Sequence, residues 1–377
     1  MPEWFHAPLG SLARWHSGGT PSTSTDEYWN GDIPWISAAS LREFFISSSD
    51  RNVTSLGAAN GTRLVPQGTT IFVVRGMSLM NEFRIGITTR EVGFGQDCKA
   101  LIPTESIDPY FLAYAIRAQT QNILGLVDAA GHGTGRLQTD RIESLRIPLP
   151  RDIQFQKATV APVKALDEKI AVNTRIASST DALLRAHFSA AMQQASHSVK
   201  LRQIVDLRYG KALKEEHRTP GPIPVYGGNG VSGWHNTSLV SGPGVIVGRK
   251  GANAGSVSWS HGPFWPIDTA FYAEPTSALI SCEFLLLLLN NIGLRGLVGD
   301  SAIPGLNREI VLGCDVLVPI GEMIDRFTST ARLLLSFRDH TSNESRSLAG
   351  LRDALLPRLM SGEIRIRDAE KIVEDTT

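Results

Sequence analysis

The sequence predicts an α/β (α+β) fold in which two globular β-rich domains are separated by two long antiparallel helices. The helices form a coiled coil, and the whole is a pseudo-twofold internal repeat. Three observations predict this. The chain repeats itself at an interval near 172 residues. Short apolar runs broken by Gly, Pro and Asn clusters fill two long segments. Between and after them lie two stretches with apolar residues at helical spacing.

The repeat is clearest where the halves end. Asp181-Ala182-Leu183-Leu184 recurs as Asp353-Ala354-Leu355-Leu356, 172 positions on. At the same interval Phe155 falls on Phe327 and Asp167 on Asp339. Ile33-Pro34 matches Ile223-Pro224, Val74-Arg75-Gly76 can be set against Arg249-Lys250-Gly251, and Asp97 against Asp268. Drifting intervals mean loops of different length on one plan. The boundaries read as residues 1–150 for a first domain, 151–197 for a first helix, 198–319 for a second domain, 320–365 for a second helix and 366–377 for a tail.

The mixed segments carry apolar runs such as TTIFVV at 69–74 and GVIVG at 244–248, and most of the chain's glycines. Each also holds a predicted helix, Tyr110–Ala118 and Cys282–Asn291. Pro109 suits a first helical turn, where its missing N–H costs nothing.

The later stretches differ. From Ile153 to about Ala190, apolar residues fall at 163, 166, 170, 176, 183, 184 and 188. From Ile324 to about Leu359, residues Phe327, Leu334, Leu348 and Leu355 follow a seven-residue repeat that Thr341 interrupts. Ala331 and Leu359 take the complementary positions. So narrow a seam is what a coiled-coil pair presents. Pro162 should kink or break a helix interior, so the strong part of the first helix is expected to begin near it.

Composition narrows the function classes. The net charge is zero, with 37 basic and 37 acidic side chains, and no domain is strongly basic. A protein that grips phosphates unaided would show a positive footprint. No apolar run approaches the roughly 20 residues of a membrane span, and the opening MPEWFHAPLG has no secretory pattern. Three scattered cysteines fit a reducing cytoplasm. The expectation is a cytoplasmic chain with no membrane contact.

Several motifs together resemble one family. The first domain carries Gly18-Gly19-Thr20-Pro21-Ser22, Tyr28-Trp29 and Gly31-Asp32-Ile33-Pro34-Trp35-Ile36. The second carries Tyr209-Gly210-Lys211-Ala212-Leu213, Ile223-Pro224-Val225-Tyr226-Gly227-Gly228-Asn229-Gly230, Val247-Gly248-Arg249-Lys250-Gly251 and Phe264-Trp265-Pro266-Ile267-Asp268-Thr269-Ala270. The tail from Leu355 to Ile364 fits too. Over nearly its whole length the chain resembles the specificity (S) subunit of type I restriction–modification systems. The stretch Met77–Phe83 and Pro162 depart from the family pattern.

The resemblance implies two target recognition domains, each reading half of a split double-stranded DNA site, with the helix pair as spacer. It implies modification subunits that methylate adenine N6 and restriction subunits that translocate and cut DNA. S-adenosylmethionine, ATP and Mg belong to those partners, with no cofactor and no catalysis in this chain. Partners that supply much of the phosphate grip would explain the neutral charge, so the isolated chain is expected to bind DNA weakly.

Candidate contacts are weighed against plainer roles. Arg249-Lys250 lies on a Gly-flanked turn and suits a base or phosphate, Arg to guanine being the commonest specific pairing. Arg75 is its counterpart, and Asn253 follows in the same turn. Lys211 and Lys214 suit phosphates, or form an ordinary surface pair. Tyr226 offers an aromatic face and Asn229 an adenine partner, though their glycines also suit a tight turn. Thr20 and Ser22 suit phosphate or a cap. Residues 131–136, with His132, Thr134 and Arg136, form a DNA-facing loop or an ordinary connection. Trp35 and Trp265 read as core.

Enzyme signals fail on inspection. Ile107-Asp108-Pro109-Tyr110 lacks the doubled proline and upstream glycine-rich loop of an adenine methyltransferase. GHGTGR lacks the βαβ context of a dinucleotide site. There is no GxxxxGK[ST], no GxSxG elbow, and no metal spacing among the nine histidines and three cysteines. Two alternatives remain at this point: a specificity module of a modification-only system, and a duplicated β-rich hydrolase.

Overall fold

The computed structural model describes residues 3–130, 133–299 and 304–376. It divides into two compact units, Met1–Val172 with Ser345–Thr377, and Asn173–Glu344.

The first unit is built on a five-stranded sheet in the order Ala13–Ser17, Cys98–Pro103, Thr70–Val73, Ile85–Thr88, Phe45–Ile46. Every residue of Thr70–Val73 is buried, the continuous run expected of a strand covered on both faces. On one face Phe72 and Leu101 pack with Phe111, Leu112 and Tyr114 of helix Pro109–Ala118. On the other, Ile71, Val73 and Ala100 meet Ile36, Val65 and Phe94 from a four-stranded sheet that includes Trp29–Ile36 and Val92–Phe94. The helix starts where predicted: Pro109 occupies its first turn, and Asp108 accepts the Phe111 amide at 2.9 Å.

The second unit repeats this plan. Val205–Tyr209, Ala270–Pro275, Gly244–Gly248 and Val257–Ser260 form an antiparallel sheet in that order. Its helix, Cys282–Ile292, is capped by Ser281, which accepts the Phe284 amide at 3.0 Å, and ends at left-handed Gly293. The matched Ile-Pro pairs lie on equivalent strands. Trp29–Ile36 takes Val92–Phe94 as a parallel neighbour, and Ile223–Gly227 takes Trp265–Pro266 likewise. Gly18 and Gly210 serve one purpose: a Cβ on either would lie 2.3 Å from the Gly95 carbonyl or 2.2 Å from that of Ile267. One sequence match shifts by a residue. The structural equivalent of Asp97 is Thr269, not Asp268, because its carbonyl holds the same pair of amides.

The long helices are Ile153–Met192 and Gly321–Met360. In the first unit Val160, Val163 and Leu166 share a core with Leu348, Leu355, Leu356 and Leu359. In the second, Leu184, Phe188 and Ala191 share one with Ile324, Phe327, Ala331 and Leu335. The start of one helix thus packs on the end of the other, so the pair is antiparallel. Thr341 is buried, as is Asn173, whose Nδ2 donates to Glu344 Oε2 at 2.7 Å.

Three expectations for these helices need correction. Leu335, 1% exposed, takes the seam position assigned to Leu334, which is half-buried. The seam steps by four residues twice, from Phe327 through Ala331 to Leu335, as an undistorted helix drifts against a strict heptad. Leu183 is exposed and Leu184 carries the contact. The first helix also runs through Pro162 from Ile153. A proline removes one N–H, and the carbonyl four residues back belongs to exposed Ala158, where water can replace the lost donor.

Candidate nucleic-acid interface

Each unit projects a basic residue from the same backbone frame. In the first, the amides of Val74 and Arg75 both donate to the Asp97 carbonyl, at 2.8 and 3.3 Å. The Leu137 amide donates to the Val74 carbonyl at 2.9 Å. In the second, the amides of Arg249 and Lys250 donate to the Thr269 carbonyl at 2.9 and 3.2 Å, and Leu306 donates to Arg249 at 2.8 Å. Lys250 therefore stands where Arg75 stands, and both are exposed. The glycine after each has positive φ, +146° at Gly76 and +98° at Gly251, with open space where a side chain would be. Backbone conformation demands glycine here, and the frame leaves that face clear.

The frames differ in what lies opposite. Arg75–Gly76 pairs with strand Gly135–Leu137, and Arg136 is the direct partner of Arg75. Like charges facing across a ladder are destabilising. Neither guanidinium has a hydrogen bond or ion pair among the described residues. Asp128, on the other side of Arg136, is engaged elsewhere: it accepts from Gln138 at 2.6 Å and Arg141 at 2.9 Å. Those bonds, with the charges of Arg141 and Arg136, hold its carboxyl below the ordinary value. In the second unit Lys250 bridges Gly305, which brings no charge.

The remaining candidates fall in several places. Arg249 is tied down: Nη1 donates to the Asp268 carbonyl at 3.0 Å, and its guanidinium lies 4.8 Å from the Tyr209 ring centre. Asn229 is exposed in the two-residue turn between Ile223–Gly227 and Gly230–His235. That turn touches the Lys250 frame, since a Cβ on Gly228 would lie 2.5 Å from the Lys250 carbonyl. Asn253, half-buried, accepts the Ser256 amide through its own carbonyl at 3.0 Å. The structure thus brings Asn229, Lys250 and Asn253 together. Tyr226 is buried, with its hydroxyl donating to the Trp259 carbonyl at 3.1 Å and its ring edge-on to Phe264.

Lys211 is exposed, while its amide donates to Pro266 at 2.9 Å and its carbonyl accepts the Trp265 indole at 2.9 Å. Lys214 lies 3.5 Å from Glu216. Thr20 donates to the side chain of Gln96, next to Asp97. Ser22 is exposed and bonds Ser24 at 2.8 Å. Thr134 Oγ1 donates to the Ala130 carbonyl at 2.9 Å. His132 lies outside the described residues.

One basic cluster had no sequence signal. Arg63 donates to His16 Nδ1 at 2.6 Å. Burial, then the charges of Arg63 and Arg14, keep His16 below its ordinary pKa. Arg14 and His16 alternate along one strand, but Arg63 arrives from another sheet. Among the described residues no group of His, Cys, Asp and Glu could hold a metal ion, and no helix is long and apolar enough to cross a membrane.

Residues 1–179 match the family model described as type I restriction modification DNA specificity domain. The EcoR124I/EcoR124II type I restriction enzyme specificity subunit of Escherichia coli is 30% identical over 157 residues, 41% of this chain. That match spans only 38% of the relative's own length. The EcoprrI specificity subunit, also of E. coli, is 23% identical over 86% of this chain and 87% of its own. The crystal structure of a type I restriction-modification S subunit from M. genitalium shares the fold. Its TM-score is 0.64 at 17% identity, covering 95% of this chain and 96% of that one.

Proposed function

We propose, from its likeness to type I restriction–modification specificity subunits, that the chain recognises a two-part DNA sequence, one part by each unit, and directs adenine methylation there. It acts in the cytoplasm and performs no chemistry itself. Modification subunits bring S-adenosylmethionine and flip the target base into their own site. Restriction subunits bring ATP and Mg.

The observation that carries this reading is the duplicated frame. Arg75 and Lys250 project from identically bonded backbones, as two readers built to one plan require. Their surroundings differ, with Arg136 beside one and Asn229 and Asn253 beside the other, so each unit meets a different sequence. Phosphate contacts fix position and base edges carry sequence, and the cations suit the first task. With zero net charge, the isolated chain binds weakly, and tight binding belongs to the assembly.

The test is an exchange. Residues 198–319 are replaced by the equivalent part of a relative, and methylated adenines are mapped by single-molecule sequencing of cellular DNA. One half of the methylated sequence should change and the other remain. A change in both halves, or in neither, overturns the reading.

A further inference from the structure

The loop after Gly76 carries an apolar side chain that folding does not explain. Met77 is 72% exposed. It is not on a loose tip. The single turn Ser78–Met80 follows it, the Met80 amide donates to the Met77 carbonyl at 3.3 Å, and that of Glu82 to Ser78 at 2.7 Å. Leu79 is fully buried in the unit's main core. The strand of Arg136 packs on the same anchor: a Cβ on Gly135 would lie 3.2 Å from Leu79 Cβ. A fixed, exposed methionine thus stands beside two arginines that face each other, and Asp128, on the far side of Arg136, is already bonded to Gln138 and Arg141. Water is a poor environment for the first, and mutual repulsion disfavours the second. Duplex DNA offers what both lack, with phosphates on the outside and an apolar stack within.

We propose that Met77 is a wedge that enters between two base pairs of the half-site read by the first unit, with Arg75 and Arg136 on the flanking phosphates. The inference rests on the DNA-recognition reading above. Apolar side chains inserted at a base step unstack and deform the duplex, which makes recognition there depend on how easily the step opens. The second unit provides a built-in contrast, since the residue after Gly251 is Ala252, too short to reach into a stack. Deformation therefore belongs to one half-site.

The test uses the full chain at about 50 mM salt, where phosphate contacts are strongest. Closed-circular plasmid carrying the sequence found by methylation mapping is relaxed by a topoisomerase in its presence, and binding to a 40-base-pair duplex with the same sequence is followed by fluorescence anisotropy. The wild-type chain should shift the linking number, because unstacking unwinds the helix. Met77→Ala should bind within about tenfold of wild type yet lose most of that shift, and Met77→Leu should keep it. Equal melting temperatures establish that the exposed substitutions leave the fold intact. Binding without a linking change, or a Met77→Ala chain that unwinds as wild type does, overturns the wedge and leaves the recognition reading standing. A chain that binds no DNA in either assay also overturns the wedge, while the recognition reading stands or falls by the exchange of residues 198–319.

Discussion

Arg352 donates to Asp167 at 2.6 Å, joining residues 185 positions apart, one on each long helix. The other carboxylate oxygen of Asp167 accepts Arg117 at 2.8 Å and the Tyr114 hydroxyl at 2.9 Å. The Asp167 side chain is 4% exposed and that of Arg352 11%. Burial, then the Asp167 charge, pushes the Tyr114 hydroxyl up, so it remains a donor. Removing one partner of a buried ion pair leaves the other charge uncompensated. Asp167→Ala leaves the Arg117 guanidinium without its carboxylate, while Arg352 keeps Asp353 at 2.7 Å, and should cost about 3 kcal/mol of unfolding free energy. Urea denaturation measures this, and a loss below about 1 kcal/mol would mean that water reaches the arginines.

The duplicated frames predict parallel behaviour in DNA binding. Each lost phosphate contact lowers the slope of log affinity against log salt by about one. Arg75→Ala and Lys250→Ala should each do so, and the double variant should lose about two. Anisotropy titrations over a range of salt concentrations check the slopes. Arg249→Ala should instead lower the melting temperature, since that side chain is committed to the Asp268 carbonyl and the Tyr209 ring.

Much of this architecture was readable because it rests on local pattern. Pro109 and the apolar runs at 69–74 and 244–248 announce their elements within a few residues, and the repeated Asp-Ala-Leu-Leu marks the duplication. What escaped depends on contacts between distant segments. Leu333, Leu334 and Leu335 point in three directions on a helix, and chemistry alone cannot say which one meets a partner. Tyr226 sits in a glycine-rich stretch that resembles an exposed turn, yet the fold packs its ring against Ile246 and Phe264. Arg75 and Arg136 were both candidates, but their pairing is set by the sheet. The Arg63–His16 bond joins two sheets and leaves no trace in spacing.

Cys98 predicts a pH dependence. Its thiol is buried in the core between the two sheets of the first unit. Burial, and secondarily the charge of Asp97, raises its pKa to about 12 from an ordinary 9.0. In this range the folded state holds its proton more tightly than the unfolded state. The associated stability is complete below pH 9 and is lost as the pH rises from 9 toward 12. Urea midpoints should therefore fall across that window, and less so in Cys98→Ala. Iodoacetamide at pH 8 should label Cys98 on unfolding and hardly at all in the native protein. Rapid native labelling would contradict the burial.

Pro162 sits inside a 40-residue helix and is buried beside Val163, so two effects oppose each other there. Proline in a helix interior costs about 3 kcal/mol relative to alanine, through a missing hydrogen bond and a ring clash with the preceding turn. Its buried ring also removes apolar surface from water, which alanine would do less well. The backbone penalty is the larger, so Pro162→Ala should stabilise the first unit by about 1–2 kcal/mol. Urea unfolding should show a higher midpoint with unchanged slope. Pro162→Gly restores the same N–H but surrenders about 1 kcal/mol of helix propensity, and its gain should be correspondingly smaller. If alanine instead destabilises, the ring's packing outweighs the helix defect, and Pro162 is a core residue that the helix has bent to accept.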